Sequence, residues 1–307
     1  TPLTLEATTA GTIVVNKPQK GMQYSLNGGA KTTLTADPTN ITVAAGDKVQ
    51  FYGKGTTIKT YCSDGSDNTN IQGSGSGFTC KVYGNIMSLV DEEGFATATA
   101  LSERWAFTGL FSDNVSLIDA SGLLLPATTL TNNCYGQMFS GCTSLTTAPK
   151  LPATTLAKDC YMYMFHGCTK LTTAPKLPAT TLAENCYEYM FAGCTNLAAA
   201  PELLVTELKV GCYMYMFGDC TTLTTTPKLP ATTLADCCYY SMFEGCTGLT
   251  KAYVKAALVE DKCSRMFTNC TKTGGTFYSV DVATATTWIT EFNPSLQGWT
   301  GAAYPTE

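Results

Sequence analysis

Histidine occurs once in the 307 residues, and charged side chains make up only 14 % of them, about half the usual 25 %. The lone histidine, His166, leaves a Ser-His-Asp or Cys-His nucleophile a single possible base. No Cys-x-x-Cys pair occurs, and with one histidine a zinc site is not expected. Lysine and arginine total 19 against 24 acids, a net charge of −5, and they form no basic stripe, so a nucleic-acid partner is not expected. No apolar run approaches the roughly 18 residues that span a bilayer. No Lys/Arg-rich amphipathic stretch supports direct membrane insertion or surface binding. Phosphate loops, calcium loops and dinucleotide fingerprints are missing. The run Asp91-Glu92-Glu93 reads as a solvated turn rather than a glycosidase pair. These absences point to a non-enzymatic protein without a cofactor. A start at Thr1 without Met reads like a trimmed, mature extracytoplasmic domain.

What is abundant is self-similarity. One cysteine recurs at Cys134, Cys160, Cys186, Cys212 and Cys238, and a second at Cys142, Cys168, Cys194, Cys220 and Cys246, both every 26 residues. Between them runs a Met-Phe pair (Met138-Phe139 to Met242-Phe243), and around them Leu-Pro-Ala-Thr-Thr-Leu and Cys-Thr-x-Leu-Thr-Thr-x-Pro segments. A fixed period of this size marks a stacked repeat array. The ends are degenerate, as terminal units of such arrays are. Leu110-Phe111 enters the frame with Asn114 at the cysteine position, and Cys263, Met266-Phe267 and Cys270 leave it with one residue deleted.

Each unit reads as a helix plus a short strand. At about 100° per residue, Cys160, Tyr161, Met164, Phe165 and Cys168 share one arc, while Met162 and His166 lie opposite. Thr180 or Thr181 with Glu184 suggests a capping box. Gly141, Gly167, Gly193 and Gly245 sit where a left-handed cap would end the helix. Leu145, Ala148 and Leu151 then face inward from an extended segment, whose parallel strand the prolines at 149, 175, 201 and 227 restrict to two or three residues.

The Met-Phe-x-Gly-Cys-Thr-x-Leu units resemble the BspA-like leucine-rich repeats over residues 101–270. Three residues beyond that family's usual unit of about 23 are accounted for by the Cys-Tyr-x-x turn. The stretch Val82–Leu89 is similar to the partner domain that precedes such repeats. The resemblance implies a secreted or outer-surface protein of gut- or mouth-dwelling bacteria, in a family some of whose members act in adhesion.

The fold class expected is therefore an α/β repeat solenoid of the leucine-rich-repeat type at 101–270, behind an all-β, sandwich-like domain at 1–100, with a cap at 271–307. Residues 1–100 alternate in short runs such as Gly11–Val15, Lys48–Tyr52 and Phe78–Tyr83, the pattern of a β-sandwich. Asn27-Gly28-Gly29 marks a hairpin. Residues 63–77 read as a loop, and Cys62 and Cys80, which flank it, are a possible disulfide. Eight residues of helix would separate the two repeat cysteines by about 12 Å, too far for a disulfide within a unit. Buried reduced ladders are favoured, with links between neighbouring coils left open.

His166 falls at a variable, solvent-facing position, away from Cys168. Function is then sought in the variable columns. Tyr163, Tyr189 and Tyr215 form one, which either packs on neighbouring coils or offers flat contacts to protein or sugar. Lys150, Lys176 and Lys228 form another, interrupted by Glu202, which either recognises an acidic partner or protects a strand surface. Three functions compete: a monomeric scaffold binding a host or bacterial surface protein, a glycan-binding surface protein, and a structural spacer. Exposed, coplanar tyrosine rings would favour the glycan.

Overall fold

The computed structural model describes residues 1–53, 69–292 and 294–305. The N-terminal part is all β. Its strands are β1 (Thr4–Ala7), β2 (Gly11–Asn16), β3 (Gln23–Leu26), β4 (Thr32–Thr33), β5 (Thr39–Val43), β6 (Lys48–Tyr52), β7 (Asn70–Ser74) and β8 (Cys80–Asn85). With β9 (Leu117–Leu124) they make a six-stranded sheet, ordered β4-β3-β6-β1-β8-β9, and a three-stranded sheet, β5-β2-β7. Period-two alternation puts Ile13, Val15, Ile41, Val43, Val49 and Phe51 inside, as half-buried strands require. The Asn27-Gly28 turn joins β3 and β4 as an antiparallel hairpin, with both residues at positive φ, 53° and 74°. They make a tight turn, closed by Gly29 N donating to Leu26 O at 2.9 Å, within a longer connection between the paired residues Tyr24 and Thr32. The strand β9, from the first repeat, pairs in parallel with β8, so the N-terminal sheet runs on into the repeats.

The repeats stack, but their cysteine-containing segments are not helices. Over residues 159–168 the even-numbered amides turn back three residues: Met162 to Asp159 O, Met164 to Tyr161 O and His166 to Tyr163 O, at 3.1–3.3 Å. The odd-numbered amides donate to the next coil: Asp159 to Glu184 O, Tyr161 to Cys186 O, Tyr163 to Glu188 O, Phe165 to Met190 O and Gly167 to Ala192 O, at 2.8–3.1 Å. Each segment is thus a ribbon of overlapping turns, tied to its neighbour by a ladder of parallel bonds. Half of its amides are satisfied within the coil and half between coils, so the ribbon can be buried without orphaned backbone groups. An α-helix would direct every amide back along its own chain and leave none for stacking.

The ribbon repeats every four residues, two facing in and two facing out; Phe107 and Tyr135 of the first two units are left-handed out of register, and throughout every fourth residue is left-handed. In the third unit these are Asp159 (φ 56°), Tyr163 (φ 58°) and Gly167 (φ 69°), and the fourth unit repeats them at Asn185, Tyr189 and Gly193. A period of four and one of 3.6 bury the same residues over two turns, which is why the inward set expected from a helix is the inward set observed. The expected capping box is also absent. Thr181 pairs with Thr155 in an isolated bridge, and Glu184 forms an ion pair with Lys158 at 2.9 Å.

Stacking makes columns of identical side chains. Phe111, Phe139, Phe165, Phe191, Phe217, Phe243 and Phe267 stack face to face at 5.5–5.8 Å and are fully buried. A second column runs from Phe107 through Tyr135, Tyr161, Tyr187 and Tyr213 to Tyr239 at 5.8–6.2 Å. Each such contact adds about 0.5–1.5 kcal/mol to the burial of the rings themselves. The repeat cysteines are buried free thiols. The second cysteine of each unit donates its Sγ–H to the phenylalanine carbonyl of the preceding coil: Cys142 to Phe111 O, Cys168 to Phe139 O, Cys194 to Phe165 O, Cys220 to Phe191 O and Cys246 to Phe217 O, at 2.9–3.2 Å. Cys80 is likewise a buried thiol, while Cys62 lies outside the described residues.

The degenerate ends now have physical reasons. The first coil has no coil before it, and β7 takes that place. Ile71 N donates to Leu110 O at 2.7 Å, and Asn70 Nδ2 donates to the carbonyls of Gly109 and Ser112. Asn114 replaces the cysteine because it must meet a strand: its Nδ2 donates to Ile71 O at 3.1 Å, and its Oδ1 accepts from the amides of Gly73 and Ser116. At the other end the coil is two residues short, not one. Ser241 bonds Ser264 and Phe243 bonds Met266, an offset of 23 residues where inner coils show 25. Cys263 therefore falls at the inward tyrosine position.

The extended segments pair fully only near the C-terminus. There β10 (Thr225–Leu229), β11 (Lys251–Val254), β12 (Thr276–Ser279) and β13 (Thr300–Ala303) form a parallel sheet in that order. The register slips between Thr225 and Lys228, where Pro227 has no amide to donate. Earlier coils keep single bridges, such as Thr173 to Ala199. The helix α1 (Val282–Glu291) lies against the last coil, with Trp288 and Phe292 packed edge-on to Phe267 and Trp288 Nε1 donating to Ala256 O.

Candidate functional site

The outward positions of the ribbon are where neighbouring units differ. At the middle left-handed position stand Gln137, Tyr163, Tyr189, Tyr215, Ser241 and Arg265, with φ between 52° and 60°. Asn, Asp and Gly dominate the left-handed positions on either side, as expected of residues that tolerate this conformation. A bulky aromatic there is a backbone outlier, of the kind that concentrates at functional sites.

The three tyrosines are partly exposed and stack on one another. Tyr163 and Tyr189 lie 4.5 Å apart at 6°, and Tyr189 and Tyr215 lie 4.7 Å apart at 24°. His166 packs edge-on to Tyr163 at 5.5 Å. Tyr215 lies over Gly218, where a Cβ would collide with its ring, and its hydroxyl donates to Asp219 Oδ2 at 3.0 Å. The rings are parallel rungs, not a coplanar floor. Their faces cover each other, and the three side chains are partly exposed.

Carboxylates flank the rungs. Glu188 is half-buried; burial first, and Asp159 second, push its carboxyl up to about 7. Burial pushes the Tyr163 phenol up to about 12, with Tyr189 and then Glu188 adding to the shift. Tyr215 is raised by burial and by Asp219. Burial lowers His166. Asp159 accepts from Asn133 Nδ2 at 3.3 Å. Asp219 stands four residues after Tyr215, a spacing that makes neighbours on a helix as on the ribbon, and Glu188, at the outward position of Met162, directly precedes Tyr189. Neither recurs in the other inner units, so a search for recurring columns passed over both.

Lys150, Lys176 and Lys228 are exposed, as is Glu202. Among the described residues none of the three lysines is in an ion pair, and no hydrogen bond links them to the tyrosines. Lys228 lies on β10 opposite Tyr253 of β11. The thiol of Cys168 is buried and bonded to Phe139 O, while His166 faces outward, so the two do not form a couple. Among the described residues no group of three or more His, Cys, Asp or Glu is placed to hold a metal ion, and no helix is long and apolar enough to cross a membrane. No family model, curated protein or solved structure matches the chain.

Proposed function

We propose that the protein is an extracytoplasmic, non-enzymatic binding scaffold of the leucine-rich-repeat kind, related to the BspA-like surface proteins, whose stacked coils hold the Tyr163-Tyr189-Tyr215 ladder rigidly against a host or bacterial surface protein. The observation that carries this reading is the three tyrosines held at positive φ on the outward face, while Gln137 and Ser241 fill the same position in flanking coils. Every inward column is filler that the stack requires, whereas this column is aromatic only in the centre. Rings clamped by their neighbours lose little further freedom on binding, and rigid aromatics surrounded by polar groups are favourable anchors in protein interfaces.

Glycan binding is the second reading, and the ring geometry weighs against it. Sugar stacking needs an open ring face, and face-to-face rungs at 4.5–4.7 Å leave none in the centre of the ladder. The test is a paired screen of the wild type and the triple Tyr163→Asn, Tyr189→Asn, Tyr215→Asn variant against purified surface and matrix proteins and a glycan array. Asparagine tolerates the left-handed backbone, so the coil is preserved. The expected result is a protein ligand lost in the variant. Sugar binding shared by both proteins, or a protein ligand bound equally by both, contradicts the assignment.

A further inference from the structure

The Leu-Pro-Ala-Thr-Thr-Leu segment recurs at 125–130, 151–156, 177–182 and 229–234, but the fourth unit reads Leu203-Leu204-Val205-Thr206-Glu207-Leu208. The departure has a structural consequence. Ala127, Ala153, Ala179 and Ala231 fill a buried slot, at 1 %, 2 %, 8 % and 0 % exposure. Val205 stands in the same position and stays half-exposed, because a slot shaped for a methyl group does not take two more carbons without strain. Leu204 is 74 % exposed, and Val210 is 47 % exposed. Leu208 is only partly covered, as is Leu130, whereas Leu156, Leu182 and Leu234 are buried. The segment has lifted off the coil before it.

Backbone rungs along this column are sparse, since none joins Thr154 to Thr128 either, but Glu202–Leu208 is the segment that makes none at all among the described residues. Thr128 bonds Thr99 O and Thr180 bonds Thr154 O, and bridges join Ala100 to Thr129 and Thr155 to Thr181. Among the described residues no such bond runs from Thr206 to Thr180, and none engages the backbone of Glu202–Leu208 or Lys176–Ala179. A groove of about 750 Å³ opens between these segments, lined by Leu177, Pro178, Leu204 and Val205, with Glu202 and Glu207 on its rim. Glu202 stands where sister units carry Lys150, Lys176 and Lys228, and Glu207 where they carry Thr155, Thr181 and Thr233. Lys176 is the one cation among the described lining residues.

We propose that this groove is a second binding site, for an extended peptide strand that alternates apolar and basic side chains. Two neighbouring extended segments with free backbone groups fit a strand that adds its own ladder. Leu204 and Val205 supply the apolar contact, and the two glutamates that replace a lysine and a threonine favour Lys or Arg. The site is independent of the tyrosine ladder.

The test is fluorescence anisotropy with a labelled eight-residue peptide of alternating Lys and Val, against its Glu-Val counterpart. Three proteins are compared: wild type, Val205→Ala, and Glu202→Lys with Glu207→Thr. Val205→Ala restores the repeat residue and is expected to let the segment close on the stack, leaving net charge unchanged. The expected result is basic-peptide binding at least tenfold tighter than acidic, weakened at least tenfold in both variants while their melting temperatures hold or rise. Equal binding of the two peptides, no binding of the basic one, or undiminished binding to Val205→Ala each overturns the proposal.

Discussion

Replacing Gln137 by glycine separates the turn ribbon from a helix by sign. Gln137 is partly exposed, has no ring to stack as its tyrosine counterparts do, and sits at φ 55°. Its amide donates to Met162 O at 2.8 Å, which glycine retains. A non-glycine residue in the left-handed region costs about 1–2 kcal/mol, and glycine removes that cost. Glycine's extra freedom in the unfolded chain costs about 0.5–1 kcal/mol, so Gln137→Gly should stabilise by roughly 0.5–1 kcal/mol. Ser140, three residues on, is not left-handed, and its amide makes the ordinary turn back to Gln137 O at 3.0 Å. Ser140→Gly should therefore destabilise by about 0.5–1 kcal/mol. In a helix both substitutions would destabilise. Urea or thermal melts read the pair, and a gap of about 1–2 kcal/mol moves the melting temperature by several degrees. A Gln137→Gly variant that loses as much stability as Ser140→Gly would refute the reasoning.

Asn114→Ala should cost about 2–4 kcal/mol in a urea melt, because it leaves the buried Ile71 carbonyl and the Gly73 amide without their partner; a loss under 0.5 kcal/mol would deny that β7 caps the first coil. Glu188 should make stability fall as pH rises from about 4.5 towards 7, since the unfolded chain releases this proton first while burial holds it on the folded one. In Glu188→Gln that part of the pH dependence should vanish, and an unchanged profile would show that the carboxyl is not held up. Of the fourteen free thiols among the described residues, Cys237 is the one not buried, and burial pushes Cys134, Cys186 and Cys194 up to about 12. Iodoacetamide at pH 8 followed by peptide mapping should therefore label Cys237 well ahead of the ladder cysteines; fast labelling of the ladder would contradict its burial.

Much of the stack was legible and its backbone was not, for one reason. The inward identity of Cys160, Tyr161, Met164, Phe165 and Cys168 follows from any backbone that repeats near four residues per turn, so burial could be read without knowing the conformation. Helix and turn ribbon differ in what the amides do, and side-chain periodicity carries little of that. The residue signal was present all the same: Asn133 and Gly141, Asp159 and Gly167, Asn185 and Gly193 each stand eight apart, two ribbon periods, at positions that must be left-handed. Reading the glycines alone as helix caps captured their positive φ but not its recurrence. The N-terminal strands were plain because their alternation has no competing explanation. Asn114 looked like decay of the repeat and is instead the residue that fits a strand to the first coil. The lifted segment at Leu204 was visible as a break in Leu-Pro-Ala-Thr-Thr-Leu, but only the buried alanine slot gives that break its effect.

Successive coils are hydrogen-bonded directly to one another through their ribbons. Tyr163 N lies 2.9 Å from Glu188 O, which puts the backbones of residues 163 and 189 about 5 Å apart, as neighbouring strands are; packed helices would hold their axes 8–10 Å apart. The most direct test is the double variant Tyr163→Cys with Tyr189→Cys, oxidised under mild conditions and mapped by mass spectrometry, beside Tyr163→Cys with Tyr215→Cys, two coils apart. Near-complete cross-linking of the first pair with a retained melting transition, and none of the second, is the result this structure requires. Failure of the 163–189 pair to close, with both thiols reactive, would contradict it.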